Sequence, residues 1–273
     1  NAQAGIDRYL SMYIKMFHMP DTVLLHTRRQ TPMSSGSFIQ GFFYTVCTDG
    51  IIAVSRGVKN QLVKNLGIPD RHIRVIRNGT PPEKYERVSA ENGRRMKEKF
   101  EVPEHMFLLG CVSRRKKQSQ ILRSLPLLPD NVGVMFVGVN EQDEYRNIIE
   151  EFNLRSRVFF CGNVHPDEVL DYYLMFDAHV LSSTTEGLSQ SLLEAMSLNV
   201  PVIATAAAGN LDLVTHCRNG LLFEDGSIEE LAARISWVYN HPREAEGMAV
   251  RAKEHVEQEY SMQKTAALHE AYY

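Results

Sequence analysis

The stretch Ser182–Thr205, SSTTEGLSQSLLEAMSLNVPVIAT, constrains this chain more than any other. The apolar run AHVLSS that leads into it reads as a buried strand of a parallel sheet, because a strand covered on both faces is apolar almost throughout. A turn at Glu186 and Gly187 follows, then a helical pattern with Leu188, Leu192, Leu193 and Met196 on one side. Asn199 falls where a helix ends in the left-handed conformation, and Pro201 opens the next apolar strand, PVIAT. Strand, tight turn, helix and strand form the repeating unit of an open α/β sheet, whose ligands lie at the carboxyl ends of the strands.

The chemistry of the turn narrows the ligand. Gly187 permits close approach to the backbone, and the amides of Leu188, Ser189, Gln190 and Ser191 lie at a helix start, which attracts anions and phosphate above all. Glu186 and Glu194, one on each side, repel phosphate but accept hydrogen bonds from hydroxyls. Phosphate between two polyols describes a nucleotide sugar. A competing reading takes GLSQS as one residue short of the hydrolase elbow G-x-S-x-G. Ser189 would then be the nucleophile, with Asp212 or Asp225 and then His241 following in order. Ser191 stands where that elbow needs a glycine.

EGLSQSLLEAM followed by PVIAT resembles the two-glutamate signature of family 4 glycosyltransferases, retaining enzymes of the GT-B fold, with that family's seven residues between the glutamates. Gln190 stands where members often have Asn, and Asn199 where they often have Gly. The resemblance runs from about Gly50 onward and is fainter before it. It implies an α/β architecture of two Rossmann-type lobes, the first incomplete and the second a full doubly wound parallel sheet. It also implies transfer of a hexose from a UDP-, GDP- or ADP-linked donor to a sugar or lipid-linked glycan acceptor, as in cell-surface polysaccharide or lipopolysaccharide synthesis. Glu194 then holds the nucleotide ribose and Glu186 contacts the donor sugar. A non-catalytic nucleotide-sugar-binding protein, an epimerase and a phosphorylase of the same fold are the alternatives.

A length of 273 residues suits two modest cores. The net charge of −3 gives no support to nucleic-acid binding. No run approaches the roughly 18 apolar residues of a membrane span, and no signal peptide is evident. Cys47, Cys111, Cys161 and Cys217 form no C-x-x-C pair, and three lie in or beside apolar runs. They read as reduced core thiols of a cytoplasmic protein. The chain opens without Met, directly into a helical pattern, which suggests a fragment, a processed chain or further upstream residues. The pattern divides the chain into a first lobe over residues 1–80, a linker over 81–103, a second lobe over 104–255 and a C-terminal helix over 256–273. The resemblance implies that the first is a partial acceptor-side lobe, the second the nucleotide-sugar lobe, and that the last helix packs back on the first lobe.

In the first lobe, residues 4–18 read as an amphipathic helix with Ile6, Leu10, Tyr13, Ile14 and Phe17 on one face. Its Arg8, Lys15 and His18 are compatible with peripheral contact at the inner face of a membrane. DTVLLHT and GIIAVS are strands, FIQGFFYTVC is a helix, and Ser55 caps a further helix that Gly67 closes. IIAVS, a helix, then IRVIRNG resembles the end of the family's N-terminal lobe, with Arg77 where members usually have Pro. By the same register His26 matches a histidine that borders the family's reaction centre. Arg28 and Arg29 are suited to hold phosphate.

In the second lobe, MFLLGCVS, VGVMFVGV, RVFFCGN, AHVLSS, PVIAT and GLLF are strand-like runs separated by helical stretches, which predicts a doubly wound parallel sheet. The resemblance places an Arg just after the first of these strands and a Lys a few residues on, both gripping the diphosphate. Arg114 matches the Arg, and either Lys116 or Lys117 matches the Lys. Cations there stabilise charge on the departing diphosphate. The resemblance also assigns the base to the CGNVHP loop, nominating Asn163 and Val164, and the donor sugar to the loop before a helix that holds Gly209 and Asn210. No dinucleotide or P-loop motif, no Asp-x-Asp and no histidine cluster with metal-ligand spacing occurs, so no metal or cofactor is expected.

Overall fold

The structure is a computed structural model that describes residues 5–29, 38–207 and 209–273. Most of the polar loop RRQTPMSSGS therefore lies outside the described residues. In chain order the elements begin with α1 (Gly5–Phe17), β1 (Leu25–Arg28), α2 (Phe38–Cys47), β2 (Gly50–Ala53), α3 (Arg56–Leu66) and β3 (Ile73–Val75). They continue with α4 (Glu83–Glu86), α5 (Ala90–Lys99), β4 (Phe107–Val112), α6 (Gln118–Ser124), β5 (Val132–Val137), α7 (Asp143–Glu151), β6 (Val158–Phe160) and α8 (Val169–Tyr173). The rest are β7 (Ala178–Leu181), α9 (Gln190–Ser197), β8 (Val202–Thr205), α10 (Asn210–Leu213), β9 (Leu221–Phe223), α11 (Ile228–Asn240), α12 (Pro242–Glu259) and α13 (Met262–Glu270). Residues up to Gly79, with Thr185–Ser189 and Met262–Tyr273, form one compact unit; Thr80–Thr184 and Gln190–Ser261 form a second.

In the first unit β1, β2 and β3 make a parallel sheet in that order, with His26 opposite Ile51 and Ile52 opposite Arg74. Alternation along β2 sends Ile51 and Ala53 to one face, where they pack with Met12, Tyr44, Val58, Leu62 and Ile68. It sends Ile52 to the other face, with Leu25 and Ile76, beneath Leu268 and Tyr272 at the C-terminal end. Both faces are covered, so GIIA is apolar at every position. The Ser55 Oγ accepts the Val58 N–H at 3.0 Å, and α3 closes on Gly67 at φ 65°, as its capping pattern predicts. α1 forms as the pattern predicts, and on it Leu10, Tyr13, Ile14 and Phe17 of the apolar face are exposed, while Met12 is buried. Periodicity reveals that a helix has an apolar face, not what covers it.

The second unit holds a parallel sheet of six strands in the order β6-β5-β4-β7-β8-β9. Counted within the unit this is the order 3-2-1-4-5-6, and the direction of winding reverses between β4 and β7. Every residue of β5 is buried, and Leu109, Ile121, Phe136, Val180, Ile203 and Leu231 belong to one continuous core. The buried Arg157 closes the amino-terminal edge, donating to the carbonyls of Val132 at 2.7 Å, Leu125 at 2.9 Å and Pro129 at 3.0 Å. The charged stretch before β4 carries two helices, α4 and α5. Its start is pinned: the Thr80 N–H donates to the Tyr260 carbonyl at 2.8 Å, and the Thr80 and Tyr85 hydroxyls are hydrogen-bonded at 2.7 Å. Cys47 and Cys111 are buried thiols, but Cys161 is half-buried and Cys217 is exposed. Among the described residues no helix is long and apolar enough to cross a membrane.

Candidate functional site

Strands that wind away from each other leave a crevice at their carboxyl ends, and here it is bordered by the loops after β4 and β7. The loop after β4 carries the cations. Arg114 is exposed, Arg115 pairs with Glu144 at 3.4 Å, and the half-buried Lys116 donates its backbone N–H to Gln118 Oε1 at 2.7 Å. The Lys117 ammonium pairs with Asp225, which also accepts from Gln120 Nε2 at 2.8 Å; the bond from Lys117 holds the Asp225 carboxyl below the usual carboxylate range. Gln118 organises the turn from inside. Its Nε2 donates to Ser113 Oγ at 3.0 Å and to the Arg114 carbonyl at 2.8 Å, while its Oε1 also accepts from the Tyr145 hydroxyl at 3.1 Å. Sequence reasoning passed over Gln118 because a glutamine at a helix start looks like any exposed polar residue, yet it is wholly buried.

Beyond β7 the structure corrects the helical reading. α9 starts at Gln190, so Leu188 lies outside it and packs instead against the hydrophobic core of the first unit. The spacing of Leu188 from Leu192 suits a helix, but the apolar side chain finds its burial elsewhere. The positive end of the helix dipole accordingly sits at Gln190, which is exposed, while Gly187 and Ser189 are buried. Glu186 is half-buried and belongs with Thr185–Ser189 to the first unit. Ser189 is only 2% exposed, so it does not present its hydroxyl as a nucleophile elbow must, and the hydrolase reading fails on that.

Glu194 lies within α9, 6% exposed, and its carboxylate is bonded on both oxygens. Lys84 Nζ donates to Oε1 at 2.5 Å and Gln190 Nε2 to the same oxygen at 3.4 Å, while the Tyr173 hydroxyl donates to Oε2 at 3.0 Å. Tyr173 is fully buried, and burial together with the adjacent Glu194 drives its hydroxyl well above the usual tyrosine range, which keeps it a donor. Neither Lys84 nor Tyr173 carried a local signal in the sequence. Lys84 is 110 residues from its partner, and Tyr173 sits in an unremarkable YY pair before a strand.

Asn210 is also buried. Its Nδ2 donates to the carbonyls of Ser183 and Thr205, both at 3.0 Å, tying together the ends of β7 and β8, and its Oδ1 is left without a partner. Gly209 directly precedes it as the first residue outside α10. Asn163 is exposed and Val164 half-buried in the loop after β6, which the Gly138 N–H holds to the loop after β5 by a 2.7 Å bond to the Gly162 carbonyl. His26 lies inside β1 of the first unit, fully buried, with its ring edge-on to Tyr44 at 5.6 Å and its Nε2 3.4 Å from Ser11 Oγ. The second unit thus places Arg114, Lys116, Lys117, Asn163, Val164 and Gly209 on loops that follow its strands, and Asn210 at the first position of α10. Among the described residues no group of three or more His, Cys, Asp or Glu side chains is placed to hold a metal ion.

A sheet of this order, with a cationic loop on one side of its switch point and a helix start following on the other, defines a doubly wound α/β protein of the Rossmann type. The sequence matches the family profile of glycosyl transferases group 1 over residues 90–255, and that of glycosyltransferase family 4 over residues 13–84. The chain belongs to the group 1 glycosyl transferases. It is 28% identical over 192 residues to the glycosyltransferase MJ1069 of Methanocaldococcus jannaschii, covering 68% of this chain and 48% of that protein. It is 23% identical over 248 residues to the capsular polysaccharide biosynthesis glycosyltransferase CapM of Staphylococcus aureus, covering 82% of this chain and 64% of that one. The chain spans about half the length of the curated relatives it matches, from 44% to 64% for four of them. Among solved structures, HepE of Anabaena in complex with UDP and glucose matches with a TM-score of 0.84 at 20% identity, covering 97% of this chain and 75% of that one. A glycosyltransferase of Rickettsia africae matches with a TM-score of 0.88 at 18% identity, covering 98% and 74%. The fold is that of GT-B glycosyltransferases.

Proposed function

We propose that this chain carries the donor-binding part of a retaining glycosyltransferase that moves a hexose from a nucleotide sugar to a glycan or lipid-linked acceptor. The observation that carries the reading is Glu194: a buried carboxylate, bonded on both oxygens, on the helix that follows the switch-point strand. Such a group repels phosphate and accepts from a sugar diol, so it suits the ribose beside a diphosphate. Arg114 with Lys116 or Lys117 supplies the cations that grip the diphosphate and stabilise it as it leaves. The backbone around Gly187, Leu188, Ser189 and Gln190 is assigned to the diphosphate, the loop with Gly209 and Asn210 to the donor sugar, and Asn163 and Val164 to the base. The family resemblance alone assigns Glu186 to the donor sugar and His26 to the reaction centre.

In this reading residues 104–255 hold the donor, 1–80 serve the acceptor, and 81–103 connect the two. HepE was solved in complex with UDP-glucose, which supports a UDP-linked hexose as donor, and CapM supports a polysaccharide as product. Tyr9, Leu10 and Phe17 of α1 and Ile39 and Phe42 of α2 are all more than half exposed, which supports peripheral contact with the inner face of a membrane where a lipid-linked acceptor is presented.

Thermal unfolding of this chain against UDP, GDP, ADP and their hexose conjugates tests the donor site. A nucleotide that binds only the folded state stabilises it by about 2.7 kcal/mol at 100 times its dissociation constant. The expected result is a shift selective for one nucleotide that Glu194→Ala abolishes. No shift with any of them, or an equal shift in the variant, overturns the reading.

A further inference from the structure

A lysine distant in sequence is held against the carboxylate assigned to ribose, and its placement is built rather than incidental. Lys84 lies on the four-residue helix α4, whose first turn is closed by its own N–H bonding to the Pro81 carbonyl at 3.2 Å. The preceding Thr80 is fastened to Tyr260 through its backbone and to Tyr85 through its hydroxyl, and the Lys84 ammonium lies 5.8 Å from the centre of the Tyr85 ring. The side chain of Glu194 is 8% exposed and that of Lys84 is 29% exposed. The cation therefore meets the carboxylate from its solvent side, while the wholly buried Tyr173 meets the other oxygen from within.

A carboxylate has about four acceptor positions. The close donors Lys84 on one oxygen and Tyr173 on the other fix its rotation, with Gln190 Nε2 a longer 3.4 Å contact to the oxygen that Lys84 holds, and acceptor capacity is left for hydroxyls. A buried carboxylate that lost its cation would both turn more freely and carry an uncompensated charge. We propose that Lys84 is a positioning residue: it holds the Glu194 carboxylate, against the Tyr173 hydroxyl, in the orientation that receives the ribose 2′- and 3′-hydroxyls. This rests on the reading that Glu194 holds ribose. Lys84 acts only through Glu194, so its loss weakens nucleotides that possess the diol and spares those that lack it.

The test is calorimetric titration of the whole chain with UDP, GDP and ADP, then with the 2′,3′-dideoxy form of the best binder, in the native protein, Lys84→Met, Lys84→Arg and Glu194→Gln. The native protein should prefer the ribonucleotide, and Glu194→Gln should erase the preference. Lys84→Met should lose on the order of tenfold in affinity for the ribonucleotide, the scale of one charge-assisted hydrogen bond, with the dideoxy form unchanged. Lys84→Arg, which keeps a cation and donors, should recover most of the loss. Equal weakening of both nucleotides in Lys84→Met, no change in either, or tighter ribonucleotide binding overturns the inference while leaving Glu194 in place. A native protein that binds both forms alike, or none of the three diphosphates, overturns the ribose reading itself and the role of Lys84 with it.

Discussion

Ser182 and Lys117 are hydrogen-bonded in both directions: the Lys117 N–H donates to the Ser182 carbonyl at 3.3 Å, and the Ser182 hydroxyl donates back to the Lys117 carbonyl at 2.9 Å. The pair spans the switch point, where β4 and β7 end and their following helices diverge. Backbone groups just past a strand end lose their ladder partners, and this exchange replaces them. It also anchors the cationic loop at its last residue before α6. Ser182→Ala removes the hydroxyl at a buried site and should cost about 1–2 kcal/mol of stability. Urea unfolding should show a lower midpoint with an unchanged slope, and nucleotide affinity should fall with it. A variant that unfolds and binds like the native protein would show the loop to be held by other bonds.

The Lys117–Asp225 pair offers a way to decide which lysine grips phosphate. A diphosphate that takes the Lys117 ammonium must draw it from Asp225. Asp225→Asn removes the competing charge, and nucleotide affinity should rise by a few fold, on the scale of a partly exposed ion pair. Lys117→Met should lower affinity in the same titration. If Lys117→Met leaves binding unchanged and Lys116→Met abolishes it, the phosphate lysine is Lys116.

His179 makes stability depend on pH. It lies in β7 with its ring 5.5 Å from that of Tyr173, fully buried, and neither ring nitrogen reaches a partner. Burial pushes its pKa down to about 3. The unfolded chain therefore takes up a proton below about pH 6.5 that the native state refuses until about pH 3, and stability present at neutral pH is lost as pH falls through that window. Between pH 7 and pH 5 the loss from this residue alone should be about 2 kcal/mol. Chemical denaturation at the two values should show that His179→Phe has a shallower dependence on pH than the native protein. An identical slope would mean that His179 is solvated in the native state.

Gly110 in the middle of β4 is a packing requirement. A β-carbon there would lie 1.9 Å from the Phe176 ring, so strand and ring cannot coexist with any larger residue unless one moves. Gly110→Ala should destabilise by about 1–3 kcal/mol, and adding Phe176→Leu should return part of that loss because the two sites share one space. Additive losses in the double variant, measured by thermal melting, would place the strain elsewhere.

What could be read from the sequence was whatever a few neighbouring residues settle among themselves. Apolar runs became strands because a strand buried on both faces needs every position apolar, as in GIIA and VGVMFV. Ser55, Gly67 and Asn199 became a helix cap and helix ends because each serves backbone groups within a turn of itself; Asn199 sits at φ 56°. The two glutamates and the cationic loop were visible as candidates for the same reason, being short patterns beside strand ends.

Tertiary structure decided what those patterns touch. Leu188 has helical spacing but packs, partly buried, against a different core; α1 has an apolar face, yet its Leu10, Tyr13 and Phe17 are exposed while Met12 is buried. Glu194 was legible as a carboxylate on a helix, whereas its partners Lys84 and Tyr173 were not, since they lie 110 and 21 residues away and meet it only after the sheet has closed. The hydrophobic effect is non-directional and hydrogen bonds are short, so a sequence states which groups must be buried or paired, and only the folded chain determines with what.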